Sequence, residues 1–403
     1  MVMSRSSWSA LLALGFGLPA VQPSGAPEPI DPPRVAAQRD TTFVVPDSVL
    51  ANLSLVGGLA LDPDGSLYLA DRHLPAILQL EPSGALRRVI GRPGGGPGEF
   101  NSVLALGLHR DSLWALDAGL VRVTFFPREG GRPATVPYGV YLLPSPNLTR
   151  PQVRRGIPYT VLPDGGFLVQ EVERSREQPW SDPVSTCLLR TTRRFEVLDT
   201  LLQVPRGHSG MAFVYDDGES HYLQPFGDDP IWGTSSDGSV LVLVTRPAAR
   251  NGDLSRFTVT AWRDGHIRLY SQELSYLPRR LPRAAVDSMV EQLAAPGGPD
   301  MPRTPITADS IRRHLYRPGF YPPVAAVIAA RDGTAWLRVR FGDGPRDRGE
   351  WVQLSSHGYP MQRVTTPPDF SLLEADGHML YGVQGESGEI PHPVRYRIPP
   401  LGS

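Results

Sequence analysis

The dipeptide Asp-Gly recurs along this chain, each time followed by a short apolar run. It stands in LDPDGSLYLAD (Leu61–Asp71), LPDGGFLVQ (Leu162–Gln170), SSDGSVLVLV (Ser235–Val244), ARDGTAWLRV (Ala330–Val339) and EADGHMLYGV (Glu374–Val383). A sixth copy, HRDSLWALD (His109–Asp117), has Asp111-Ser112 in its place. Asp-Gly between alternating apolar segments is the strongest short-range hairpin signal, and it points to type I′ turns, which need φ > 0 at both central residues. Six hairpins at irregular spacing, without a helical repeat between them, describe a closed ring of small sheets.

Within that ring the strands group into fours. The first unit runs through Leu59–Leu61, Ser66–Ala70, Ala76–Leu80 and Leu86–Ile90, with turns at Asp64-Gly65 and Ser83-Gly84. A second unit starts at Val103 and turns at Glu129–Gly131. A third starts near Tyr159 and ends with Cys187–Arg190 and Phe195–Leu202. The fourth turns at Asp237-Gly238 and Asp264-Gly265, and the fifth pairs Trp351–Leu354 with Met361–Val364. Four-stranded antiparallel meanders are propeller blades, so the expected fold is all-β, a six-bladed β-propeller. The last unit supplies only three strands, ending with Val394–Ile398. The isolated run Thr41–Val45 is expected to add the fourth, closing the last blade with an N-terminal strand and leaving no open sheet edge.

Composition agrees with many short strands and tight turns: Gly 41 and Pro 43 in 403 residues, with 40% apolar side chains. The net charge of −1 argues against a nucleic-acid partner. All 40 basic residues are Arg, which excludes Schiff-base and lysine-base chemistry. Cys187 is the single cysteine, so there is no intrachain disulfide and no cysteine zinc cluster; it is expected as a buried, inert thiol.

Arg5 followed by the apolar stretch Trp8–Leu18 reads as a secretory signal, too short to span a bilayer. The expected domains are a signal peptide over 1–20, a disordered Pro-rich leader over 21–40 and the propeller over 41–403, with a helical insertion at 281–317. A monomer that is periplasmic or secreted, and not membrane-spanning, is expected.

LYLADRHLPAILQLEPSG (Leu67–Gly84) and IGRPGGGPGEF (Ile90–Phe100) resemble the strand–Asp–strand core and the Gly-Pro-Gly-Glu-Phe inter-blade loop of NHL-repeat propellers. The layout is also similar to TolB-like six-bladed propellers and to uncharacterised secreted bacterial members of that group. The resemblance covers the first two blades, about 80 residues. It implies the fold, and an Asp71 that binds backbone groups structurally. It does not imply one activity, since propellers host hydrolases, lyases and scaffolds alike.

Three inter-blade connections are long: Gly91–Asn101, Pro205–Pro230 and Leu277–Pro323. In a propeller they decorate one rim of the axial channel, where binding usually resides. Gly91–Gly98 lacks the Gly-Lys-Ser/Thr of a phosphate loop and reads as a turn. The second connection holds His208, Tyr215, Asp216, Asp217, Glu219, His221 and Tyr222, candidate ligand-binding residues whose carboxylates could hold Ca²⁺. Its polar side chains equally suit a solvated loop. In the third, PRAAVDSMVEQL (Pro282–Leu293) carries Ala285, Met289 and Leu293 on one helical face, and Thr307 can cap a second helix, Ser310–Tyr316. Arg313, His314 and Tyr316 complete the candidate set, for an anionic or sugar-like ligand. No cofactor is implied.

The expected function is a binding module for a protein, peptide or glycan through the insertion-bearing face. The alternative is a metal-dependent hydrolase or lyase with its site at the axial channel mouth. No catalytic residue and no metal ligand can be named from the sequence.

Overall fold

A computed structural model describes residues 28–54, 56–71, 73–138, 156–173, 185–205, 210–215, 218–294, 306–341, 349–385 and 391–400. Six antiparallel sheets of four strands, one of them extended by a fifth, surround a central axis. The innermost strands are Val56–Leu61, Val103–His109, Gly156–Val161, Ile231–Thr234, Val324–Ala329 and Phe370–Ala375, one per blade. The first five blades then run outward through their second, third and fourth strands in sequence order, whereas the outer strand of the sixth comes from the N-terminal part of the chain. The protein is a six-bladed β-propeller.

Neighbouring blades are held by separate apolar cores. Blades four and five share Val242, Val244, Phe257 and Tyr276 with Val327, Leu337 and Phe341. Blades one and two pack Tyr68 and Ile77 on Phe100, Val103 and Phe126, and blades two and three pack Trp114 and Phe125 on Phe167, Val169 and Phe195. These side chains alternate along their strands because successive Cβ atoms point to opposite sheet faces, and a blade buries both faces. Cys187 is half-buried beside the core between blades two and three.

The inner turns are not the expected type I′. Gly65, Gly165, Gly238 and Gly333 have φ of +85°, +88°, +69° and +89°, but the Asp before each does not lie in the left-handed region. Instead that Asp accepts the amide two residues on, as Asp64 does from Ser66 (2.8 Å), Asp164 from Gly166 (2.9 Å), Asp237 from Ser239 (3.0 Å) and Asp332 from Thr334 (2.9 Å). An Asx interaction fixes the Asp, and glycine then takes the left-handed position of a three-residue loop. The outer turn of blade four, Asp264-Gly265, does place both residues at positive φ, +52° and +71°.

Closure also differs in detail. Thr41–Val45 forms no strand; Gln38–Arg39 pairs antiparallel with His392–Arg397 to complete blade six. Arg34–Ala36 adds a parallel fifth strand to the outer edge of blade five, beside Pro360–Thr365. Strands therefore begin inside the stretch 21–40 expected as leader. Thr41–Val45 passes on to blade one, burying Phe43 and joining Val44 N–H to the Ser83 carbonyl (2.8 Å).

Between blades four and five lie two helices, Arg283–Ala294 and Ala308–His314. Thr307 caps the second, its hydroxyl accepting Ser310 N–H at 3.2 Å. Val286 and Val290 are buried against Phe226, Ile311, Leu315 and Tyr321, with Ala285, Met289 and Leu293 partly buried beside them. Among the described residues no helix is long and apolar enough to cross a membrane.

Candidate functional site

Five of the six inner strands carry a β-bulge, three at the second residue and two at the fourth. The residues left out of register are Gly57, Leu104, Tyr159, Ala325 and Leu373. A bulge re-aims the extra residue, and barrels and sites use it for that. Here four of the five, Gly57, Leu104, Tyr159 and Leu373, line one cavity of about 430 Å³ along the axis. That volume suits a small ligand or a single inserted side chain.

Solvent enters this cavity from the start of the inner strands. Ile157 and Tyr159, second and fourth in their strand, are 54% and 37% exposed, whereas Glu374, next to last in its own, is 4% exposed. The strand starts join the inter-blade connections, so the open end belongs to the insertion-bearing face. Tyr159 stands against Trp232, with ring centroids 6.3 Å apart, and its hydroxyl donates to the Trp232 carbonyl at 3.3 Å. Burial among the inner strands pushes the Tyr159 phenol above its ordinary value.

At the other end the inner turns interlock across the axis. The Arg331 guanidinium of blade five reaches the Leu61 carbonyl of blade one and the Ser236 hydroxyl of blade four, the latter at 3.0 Å. The Ser236 carbonyl accepts Leu108 N–H of blade two at 2.7 Å. Glu374 of blade six lines the cavity floor together with Ser235 and Ser236. Burial raises its carboxyl to about 8; the charge of Arg331 and the Ser236 hydroxyl pull it down, and Asp237 pushes it up. At neutral pH the floor therefore presents a protonated acid.

The sequence candidates belong to the two long connections that precede blades four and five. Tyr215, Glu219, His221 and Tyr222 belong to a two-stranded hairpin, Gly210–Tyr215 with Gly218–Leu223, in which Tyr215 pairs with Gly218, Val214 with Glu219, Ala212 with His221 and Met211 with Tyr222. His208, Asp216 and Asp217 lie outside the described residues. Arg313 and His314 are exposed at the end of the second inserted helix, where His314 Nδ1 donates to the Ser310 carbonyl at 2.9 Å. Tyr316 faces the propeller: its hydroxyl donates to Asp228 (3.1 Å), and its amide donates to Gln224 (2.9 Å). Burial, and then the charge of Asp228, push its phenol to about 12. Tyr316→Phe is expected to speed amide exchange in Ala308–His314 several-fold, since hydrogen bonds to charged groups contribute about 1.5–3 kcal/mol. Exchange followed by mass spectrometry checks this, with the blades as internal reference.

Other motifs have structural duties. Asp71 accepts Ser54 N–H (2.7 Å) and His73 N–H (2.9 Å), and Asp117 accepts Asn101 N–H (2.8 Å) and Leu120 N–H (2.9 Å), so each ties an inter-blade connection to its blade. The glycine-rich loop already contains an anion of its own. Glu99 accepts Gly96 N–H at 2.7 Å and pairs with Arg92 at 2.9 Å, which together hold its carboxyl below the usual range. A Cβ on Gly94 would lie against the Glu99 carboxylate, so the space a phosphate would need is filled. Among the described residues no three His, Cys, Asp or Glu side chains converge as a metal site requires.

No family model matches the chain, and no curated protein matches its sequence. Solved structures that it resembles are six-bladed β-propeller proteins, all at low identity. A DUF4221 family member from Bacteroides vulgatus has a TM-score of 0.41 at 9% identity, over 90% of this chain and 95% of that one. The PQQ-bound aldose sugar dehydrogenase of Streptomyces coelicolor has 0.39 at 13%, over 92% and 100%. A putative exported protein from Bacteroides fragilis has 0.32 at 11%, over 75% and 83%.

Proposed function

We propose that this propeller is an extracytoplasmic binding module of NHL- or TolB-like type. It takes part of a peptide, protein or glycan into the axial channel from the insertion-bearing face. The observation that supports this reading is the channel itself: one end closed by interlocked turns, the other open beside Ile157 and Tyr159, with walls of Leu59, Leu104, Leu106 and Leu373. Partly exposed aromatic and aliphatic side chains around a concave mouth are what ligand recognition uses. The export reading rests on the apolar stretch Trp8–Leu18.

Tyr159 is the side chain to test. Peptide and glycan arrays probed with wild-type protein and with Tyr159→Ala are expected to share no strong hits. Ligands retained by the wild type should bind the variant at least tenfold more weakly, at an unchanged melting temperature. Equal retention by both proteins overturns the reading.

A further inference from the structure

Glu374 is the one carboxylate among the six inner strands, whose other titratable side chains are His109 and Tyr159. It sits at the closed end of a cavity whose walls are otherwise mostly apolar. Among the described residues, charged and titratable groups act on it from three sides. Arg331 approaches from blade five, Asp237 from blade four, and Tyr381 lies opposite on the neighbouring strand of its own blade. The cation of the set, Arg331, is shared with other partners. Arg331 donates to the Leu61 carbonyl and to Ser236, and its Nε lies 3.7 Å from Asp237. Glu374 thus has no cation to itself.

We propose that the axial channel binds a primary or secondary amine on an apolar stem, with the ammonium at Glu374 and the stem between Leu59, Leu104, Leu106 and Leu373. This rests on the channel-binding reading and narrows its ligand. A buried carboxyl without its own counter-charge is met best by a ligand that brings one. A carboxylate-headed ligand would place a second acid beside Glu374, and an alcohol would leave the carboxyl neutral. Tyr159 at the mouth offers a π-face to the same cation during entry.

Below the folded Glu374 value of about 8, an alkylammonium ion displaces one proton: RNH₃⁺ and Glu–COOH give the Glu–COO⁻···RNH₃⁺ pair and H⁺. Amine affinity therefore rises roughly tenfold per pH unit up to about 8 and then levels. The ammonium itself stays charged through this window, so the slope reports Glu374.

Titration calorimetry of the full chain with hexylamine, hexanol, hexanoate and a short lysine-containing peptide, in two buffers of different ionisation enthalpy, tests this. Amine binding at pH 6.5 should release about one proton and exceed hexanol and hexanoate at least tenfold. A preference for hexylamine or for the peptide separates a free amine from a lysyl side chain as the source. Glu374→Gln should bind amine and alcohol alike. Equal affinities in the wild type, or an amine preference that survives Glu374→Gln, overturn the proposal. Leu104→Trp, which fills the channel, tells the two readings apart. If it abolishes the binding of probes that show no amine preference, the channel stands and the amine assignment falls. If it affects no probe, both fall.

Discussion

Replacing Asp40 with alanine is expected to destabilise the ring by about 3–5 kcal/mol, the usual cost of removing one partner of a buried ion pair. Asp40 is 7% exposed and follows the two-residue strand that closes blade six. Arg395, on the neighbouring strand, donates to it through Nε at 2.9 Å, and its Nη2 lies 2.7 Å away. Asp40 also accepts the amide and hydroxyl of Thr42, at 3.0 and 2.7 Å. Arg395 meanwhile reaches the Pro82 carbonyl of blade one at 3.1 Å and stands over the Phe43 ring. One carboxylate therefore joins the closing strand, the last strand of the chain and blade one. Without it a mostly buried guanidinium loses its charge partner.

The pH dependence has a definite sign. Burial alone would raise the Asp40 carboxyl, but the Thr42 and Arg395 hydrogen bonds and the Arg395 charge outweigh it, so the folded value lies below the ordinary one. The stabilisation is complete above the ordinary aspartate range and is lost as pH falls through the lower folded value. Urea unfolding of wild type and Asp40→Ala at neutral pH gives the difference. Repeating it in acid should bring the two proteins together. Equal stability at neutral pH would show that closure depends on the strand pairing and on Phe43 alone.

The closing strand carries less local signal than the run that follows it. Thr41–Val45 is β-branched and aromatic, the local composition of a strand. Yet Val44 is 64% exposed and Phe43 is buried as an anchor between blades. The strand that pairs is Gln38–Arg39, polar and two residues long, which carries no local signal. Its place is set by Arg395 and by the free edge of His392–Arg397, contacts more than 350 residues away in sequence. The hairpins behave oppositely. Five of the six are encoded within about ten residues by Asp-Gly and alternation, and the sixth by alternation around Asp111-Ser112, so their positions were legible even though the turn geometry was not. Type I′ was expected from glycine alone, and the Asx bond of the preceding Asp decided otherwise.

The channel followed a different logic. Polar residues cluster in the long connections, at 208–222 and 313–316, and those clusters are visible in the sequence. Tyr316 instead anchors the helical insertion through Asp228. Four of the cavity's lining residues, Gly57, Leu104, Tyr159 and Leu373, look like ordinary core until bulges turn them to the axis, and a bulge leaves little trace in sequence. Glu374 was the available signal: a lone acid in an inner strand, written in plain view within the Asp-Gly repeat EADG.

Adding a single methyl group at Gly107 is expected to cost about 3 kcal/mol or more, at the upper end of overpacking effects. A Cβ there would lie 2.3 Å from the Ser236 carbonyl oxygen and 2.7 Å from the Trp114 ring. The first contact is with backbone that accepts Leu108 N–H, so it cannot be relieved by a rotamer change. Ser236 is also fixed from the other side, by Arg331 at its hydroxyl and by the Asp237 turn. Blade two can accommodate the methyl only by moving away from the turn of blade four, which opens the brace across the axis. Because Ser236 stands beside Glu374, the same movement disturbs the cavity floor. Gly107→Ala should therefore lower both stability and ligand affinity. Gly319→Ala, where nothing lies within 4 Å of the added atom, should stay within about 0.5 kcal/mol of wild type. Denaturant unfolding of both variants, with hexylamine titration of Gly107→Ala, reads the two effects separately. A Gly107→Ala protein as stable as Gly319→Ala would mean that the turns of blades two and four are not in contact, and that the channel has no fixed floor.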